Sequence, residues 1–244
     1  MKLSSLFDLN EPQSPSRPYR LSRSKIDLYL ECPRCFYLDQ KMGIHRPPLP
    51  PFSLNSAVDL LLKKEFDLHR QKRRPHPLME LYQIQAVPLW YEELDKWRNS
   101  LQGISLHHQE TNLYLFGAID DIWENQKGEW HVVDYKATST TKEIDLSDDY
   151  KSGYKKQVEF YQWLLRKRGF PVSKVAYFVF CNGIKDRPQL GGRLEFELSI
   201  VQHEGDDSWV EPTLFEIQKL LNLKEAPPPS PQCPYCQFAE KAKK

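Results

Sequence analysis

Gly117-Ala118-Ile119-Asp120, followed at a short distance by Val132-Val133-Asp134-Tyr135-Lys136, is the stretch whose reading decides the fold. Both pieces read as β-strands, with Asn125 to Gly128 as the hairpin turn between them. Alternate side chains of a strand leave opposite faces. Asp134 and Lys136 therefore share one face, and Val133 and Tyr135 share the other. Asp121 follows Asp120 directly and is expected on the face opposite to it. A lysine beside carboxylates in so apolar a run is costly to place unless something uses it.

The chemistry of that trio suggests a use. Phosphodiester hydrolysis needs an attacking water, neutralisation of the phosphate and help for the leaving oxygen, and one or two Mg²⁺ or Mn²⁺ ions supply most of this. Hard cations take oxygen ligands. Asp120 and Asp134 offer carboxylates, Tyr135 offers a backbone carbonyl, and Lys136 is suited to orient water or stabilise developing negative charge.

Working outward, residues 103–109 and 112–123 read as strands and 129–137 as the next. A helix is expected over 151–168, stopped by Gly169 and Pro171. Gln157 and Tyr161 stand four apart on it and share a face, and Lys155 and Lys156 lie nearby to touch phosphates. Strands over 174–181 and 192–201 and a helix over 212–223 complete the C-terminal half. Upstream, Ser22 or Ser24 caps a helix carrying Ile26, Leu28, Tyr29 and Leu30. Ser53 opens another with Leu54, Val58, Leu61, Leu62 and Phe66 on one side. Residues 1–20, rich in Ser and Pro, read as a disordered N-terminal arm, and 21–244 as a single domain. The order predicts an α/β (α+β) core, a central mixed sheet flanked by helices.

The 244 residues are enough for one sizeable core, and the formal net charge of +1 argues against non-specific coating of nucleic acid. Any such contact needs a local patch. Lys63-Lys64, through His69-Arg70 to Lys72-Arg73-Arg74, is the candidate, with a solvated helix end as the alternative. No stretch is long and apolar enough to span a membrane and no signal-peptide core is seen, so a cytoplasmic setting is expected. No GxxxxGK[ST] phosphate loop is present, so any ATP-driven motor would belong to a separate partner.

Two CxxC knuckles, Cys32-Pro-Arg-Cys35 and Cys233-Pro-Tyr-Cys236, lie near opposite ends of the chain. Together they suit a four-thiolate metal site that would clip the N- and C-terminal regions, with a disulfide within each knuckle or a redox CxxC as the alternatives. Zinc and an iron–sulfur cluster both accept four thiolates. Cys181, in an apolar strand, is expected to be a buried thiol.

Gly117-x-Ile119-Asp120, then Asp134-x-Lys136, then Gln157-x-x-x-Tyr161 resembles the PD-(D/E)XK nuclease superfamily. The likeness is to its RecB-like nucleases and CRISPR-associated four-cysteine exonucleases, over about residues 21 to 240. The resemblance implies a restriction-endonuclease-like core and a Mg²⁺- or Mn²⁺-dependent, exonuclease-like DNA nuclease of repair, recombination or CRISPR-type processing. It further implies metal-binding Asp120 and Asp134, a catalytic Lys136, and Gln157 and Tyr161 reaching the site or the DNA. Where those relatives carry an early Gly-x-x-His before an apolar run, this chain has Asn55-Ser-Ala-Val-Asp59, which makes Asp59 a further candidate metal ligand; Glu110 is another upstream acid. The resemblance tilts the cysteine site toward a [4Fe–4S] cluster, although a two-plus-two division of ligands departs from that pattern. The alternatives are a non-catalytic nucleic-acid-binding module and a zinc-stabilised interaction module.

Overall fold

The computed structural model describes residues 17–48, 53–148 and 151–242. At its centre is a nine-residue strand, Trp130–Thr138, whose odd and even residues serve two different cores. In chain order the elements are β1 (Tyr19–Ser22), α1 (Arg23–Glu31), α2 (Pro33–Met42), α3 (Ser53–Gln71), α4 (Pro77–Leu81), β2 (Ala86–Pro88), α5 (Leu94–Arg98), β3 (Ile104–His108), β4 (Leu113–Gly117) and β5 (Asp121–Asn125). They continue with β6 (Trp130–Thr138), α6 (Ser152–Lys167), β7 (Val175–Gly183), β8 (Phe196–Glu204), α7 (Val210–Leu221) and α8 (Pro234–Lys241).

Five strands form one mixed sheet in the order β2-β5-β6-β7-β8, in which only β6 and β7 run parallel. Parallel neighbours need a long crossover, and α6 supplies it. Val132 of β6, with Ala176, Phe178 and Phe180 of β7, packs into a core shared with α6 and α7. Val133 and Tyr135, with Tyr177, Val179 and Cys181, pack against α3 and α4 through Val58, Leu62, Phe66, Leu78 and Met79. The i, i+4 spacing of Val58, Leu62 and Phe66 is what turns one face of α3 onto the sheet. A second sheet, β1-β4-β3, has β1 parallel to β4, with Tyr19 opposite Leu113 and Ser22 opposite Phe116.

Two expectations change. Residues 112–123 are not one strand: β4 ends at Gly117 in the small sheet and β5 begins at Asp121 in the large one. Ala118 to Asp120 make the passage between sheets, pinned by the Ile119 amide on the Trp97 carbonyl (3.1 Å) and by Arg98 Nε on the Asp120 carbonyl (3.0 Å). The end of the expected arm, Tyr19 and Arg20, belongs to β1; residues 1–16 lie outside the described residues. Short elements between the main periodic runs, α2, α4, β2, α5 and α8, complete the fold.

Both CxxC knuckles open helices in the same way. Cys32 and Cys233 are N-cap residues, Pro33 and Pro234 follow in the first turn, and Cys35 and Cys236 lie within that turn. Proline is tolerated there because the first helical amides lack intrahelical partners anyway. The knuckles meet in space and join the N- and C-terminal regions.

Candidate active site

The period-two logic of β6 sets the centre of the site. Asp134 and Lys136 leave the strand toward α6, and Lys136 Nζ lies 2.5 Å from Asp134 Oδ2 and 3.2 Å from Gln157 Oε1. The Tyr154 ring, also on α6, sits 4.8 Å from that ammonium. Asp120, at the passage between sheets, accepts the Tyr135 amide at 3.1 Å on Oδ2. A strand break thus delivers a carboxylate to the same place from a different direction.

The electrostatics are those of crowded acids. Asp134 is buried, with 3% of its side chain exposed, whereas Lys136 keeps 16% and Asp120 21%. Burial pushes the Asp134 carboxyl up to about 7; Lys136 opposes the rise and Asp120 adds to it. The Lys136 ammonium forms an ion pair with Asp134 Oδ2, and no hydrogen bond otherwise satisfies that buried oxygen. We take the pair as Coulombic attraction without a directed bond. A buried carboxylate oxygen in that condition, beside a second carboxylate, suits an oxygen-seeking divalent cation.

Gln157 and Tyr161 share a face of α6 and divide the work. Gln157 meets Lys136, while Tyr161 lies buried over Gly117. A Cβ at position 117 would stand 2.7 Å from Tyr161 Oη, so the glycine makes room for the ring. Burial raises the Tyr161 phenol well above its ordinary pKa; Arg23 opposes this, and Asp120, Asp134 and Asp27 add to it.

Asp59 reaches the centre through an intermediary. Lys63, one turn further along α3, lies 2.8 Å from Asp59 Oδ2 and 3.2 Å from Asp120 Oδ1, holding the two carboxylates together. Lys63 was hidden inside a basic run, although its i, i+4 relation to Asp59 was a signal for it. Glu110 stays away from this centre, 2.9 Å from His108.

That basic run is neither a single patch nor a plain solvated end. Lys63 faces the acids, Arg70 is buried, and Lys72, Arg73 and Arg74 are exposed. Arg70 Nη2 donates to Asp121 Oδ1 (2.6 Å), as do Arg98 Nη2 (3.0 Å) and the Ile122 amide (2.7 Å); the Tyr135 hydroxyl donates to Oδ2 (2.6 Å). The two neighbouring aspartates therefore differ. Asp121 is spent on a buried ion cluster on the α3 side, and Asp120 faces the Asp134–Lys136 centre.

The four cysteines of the knuckles are buried free thiols with all their sulfurs within 4.8 Å of one another, a group able to hold a metal ion. Helix α1 ends at Glu31, next to Cys32, and its other end carries Arg23, whose Cβ lies beside Gly117. The nine residues of α1 put the clip roughly 13 Å along the helix axis from that end, too far to join the chemistry. Cys181 is a buried thiol on β7, pushed up to about 11 by burial. Among the described residues no helix is long and apolar enough to cross a membrane.

A family model for the PD-(D/E)XK nuclease superfamily matches residues 20–240, nearly the whole chain. The search of curated proteins gave no match. The chain belongs to the PD-(D/E)XK nuclease superfamily, whose members are metal-dependent nucleases acting on nucleic acid.

Proposed function

We propose that this member of the superfamily is a Mg²⁺- or Mn²⁺-dependent deoxyribonuclease that hydrolyses phosphodiester bonds, in the manner of the RecB-like, four-cysteine exonucleases it resembles. The observation that carries the proposal is the buried Asp134 Oδ2, without a hydrogen bond, beside Asp120 and under Lys136. Asp120 and Asp134 are the carboxylate ligands, with the Tyr135 carbonyl and Asp59 completing the oxygen set. A bound divalent ion would polarise the phosphate and lower the pKa of a ligated water.

The chain's own residues do the rest. Lys136, held between Asp134 and Gln157, keeps an ammonium where negative charge develops on the phosphate and orients the attacking water. Gln157 fixes that ammonium by accepting a hydrogen bond from it on Oε1. Tyr161 holds α6 against the passage between sheets, so Asp120 keeps its distance from Asp134. Lys63 carries positive charge between Asp59 and Asp120, limiting their mutual repulsion before any cation binds. Residues 21–244 act as one domain, a reading supported by the larger of the two apolar cores, which draws on residues from Leu21 to Leu221. DNA is the substrate, repair, recombination or CRISPR-type processing is the setting, and a helicase, where one is needed, is a separate partner.

Cleavage of end-labelled single- and double-stranded DNA with Mg²⁺, Mn²⁺ or chelator tests this. Wild-type protein cuts with either ion and not with chelator, while Asp134→Ala and Lys136→Ala do not cut although folded. Wild-type rates from either folded variant would overturn the assignment.

A further inference from the structure

The resemblance implies an iron–sulfur cluster at the cysteines, but the sulfur positions do not fit one. Cys35 Sγ lies 3.6 Å from Cys233 Sγ and 4.0 Å from Cys236 Sγ, and Cys32 Sγ lies 3.7 Å from Cys236 Sγ. All four stand within 4.8 Å of one another. One tetrahedral ion with metal–sulfur bonds of about 2.3 Å puts its sulfurs about 3.8 Å apart, the edge of a tetrahedron of that radius. A [4Fe–4S] cube gives each cysteine its own iron and splays the four thiolates outward, to roughly 6 Å apart. A [2Fe–2S] centre likewise splits the cysteines into pairs on two irons. The observed spacing matches the single ion, and these three contacts each cross from one knuckle to the other, as four ligands converging on one point require.

The surroundings agree. Each knuckle opens a helix, so its thiolates sit at the positive end of a helix dipole. The Cys35 amide donates to Cys32 Sγ at 3.4 Å, and Arg46 Nη2 donates to Cys233 Sγ at 3.6 Å. Arg46 is held by Glu31 and lies 4.3 Å over the Tyr235 ring, next to Cys236. A dication with four thiolates carries a net charge of about −2, and an ordered guanidinium on one sulfur is the outer partner such a site needs. Zinc, which has no redox chemistry and favours closed four-thiolate sites, fits all of these features.

We infer that Cys32, Cys35, Cys233 and Cys236 hold a single zinc ion, and that the clip is a redox-silent fastener tying α8 to α1 and α2. The test stands apart from the nuclease reading because it measures metal and colour, not cleavage. The full chain is produced in medium supplied with both iron and zinc, purified without oxygen, and assayed for metal, sulfide and absorbance. About one zinc per chain, a colourless protein and no band near ~400 nm are expected. A thiol-blocking mercurial added to that wild-type protein should release the zinc, and cobalt in its place should give the visible bands of a tetrahedral thiolate site. Stoichiometric iron, with or without sulfide, or a metal-free protein, would overturn the inference, as would zinc that survives full blocking of the cysteines.

Discussion

Asp120 and Asp121 are adjacent in the chain, and the structure assigns them opposite consequences on substitution. Asp121 is wholly buried and accepts four hydrogen bonds, from Arg70, Arg98, the Ile122 amide and the Tyr135 hydroxyl. Burial alone would raise its carboxyl, but Arg70 and Arg98, with the hydroxyl and amide, outweigh that and hold it below the ordinary carboxylate value. In Asp121→Ala two guanidiniums stay in the interior without this acceptor. Breaking one side of a buried ion pair costs about 3–5 kcal/mol. Arg70 retains Asp67 and the Leu89 carbonyl, and Arg98 retains Asp67 and the Asp120 carbonyl, which points to the lower end. The stranded Tyr135 hydroxyl adds about 1 kcal/mol, so the expected loss is about 4 kcal/mol. A chain of this length then melts roughly 10 °C lower. Asp120 is part-exposed and crowded by Asp134. Asp120→Ala gives up the Tyr135 amide and Lys63 while relieving like-charge repulsion, for a net change of about 1 kcal/mol or less. Urea titrations give both stabilities, and cleavage at a temperature where both variants are folded gives the activities. Asp120→Ala is expected to be stable and inactive, and Asp121→Ala to be destabilised. An Asp121→Ala protein within 1 kcal/mol of wild type, or an Asp120→Ala protein that is the less stable of the two, would refute the reasoning.

Mn²⁺ affinity should climb about tenfold per pH unit up to the Asp134 value of about 7 and level off above it, since the proton and the cation compete for that carboxylate; calorimetric titrations from acid to neutral pH check this. In the metal-free protein the sign for stability is the reverse of the usual acid case. A carboxyl raised by folding contributes stability below its unfolded pKa and loses it as pH rises through about 7, and Asp134→Asn should flatten that part of the stability–pH curve. Gly117→Ala drives a methyl against the Tyr161 ring (Oη 2.7 Å, Cε1 3.0 Å) and should cost about 1–3 kcal/mol in thermal melts together with activity. Tyr161→Phe in the same chain should recover part of that loss, because the closest clash is with the hydroxyl.

Much of the centre was legible because it depends on local periodicity. Alternation along β6 put Asp134 and Lys136 on one face, helical spacing paired Gln157 with Tyr161, and the apolar rhythm of Val58, Leu62 and Phe66 foretold α3. The four-cysteine clip was legible because the spacing within each knuckle is itself the ligand geometry. What stayed hidden depends on long-range pairing. Alternation runs on through Gly117 to Asp121, so nothing local marks that the chain changes sheets there. Arg70 looks like part of a surface run, and only its partner 51 residues away makes it a core residue. β1 escaped notice because a four-residue strand next to a Ser- and Pro-rich stretch earns its hydrogen bonds from β4, far along the chain. The zinc proposed for the clip rests on sulfur separations, which ligand spacing in sequence does not encode.

Isothermal titration of Mn²⁺ into the wild-type protein and the Asp134→Asn variant, at a pH above 7, reaches the heart of the matter. Saturable binding by the wild type, weakened at least tenfold in a variant that remains folded, is the predicted result. Equal affinities in the two proteins would mean that the carboxylates beside Lys136 do not hold the ion.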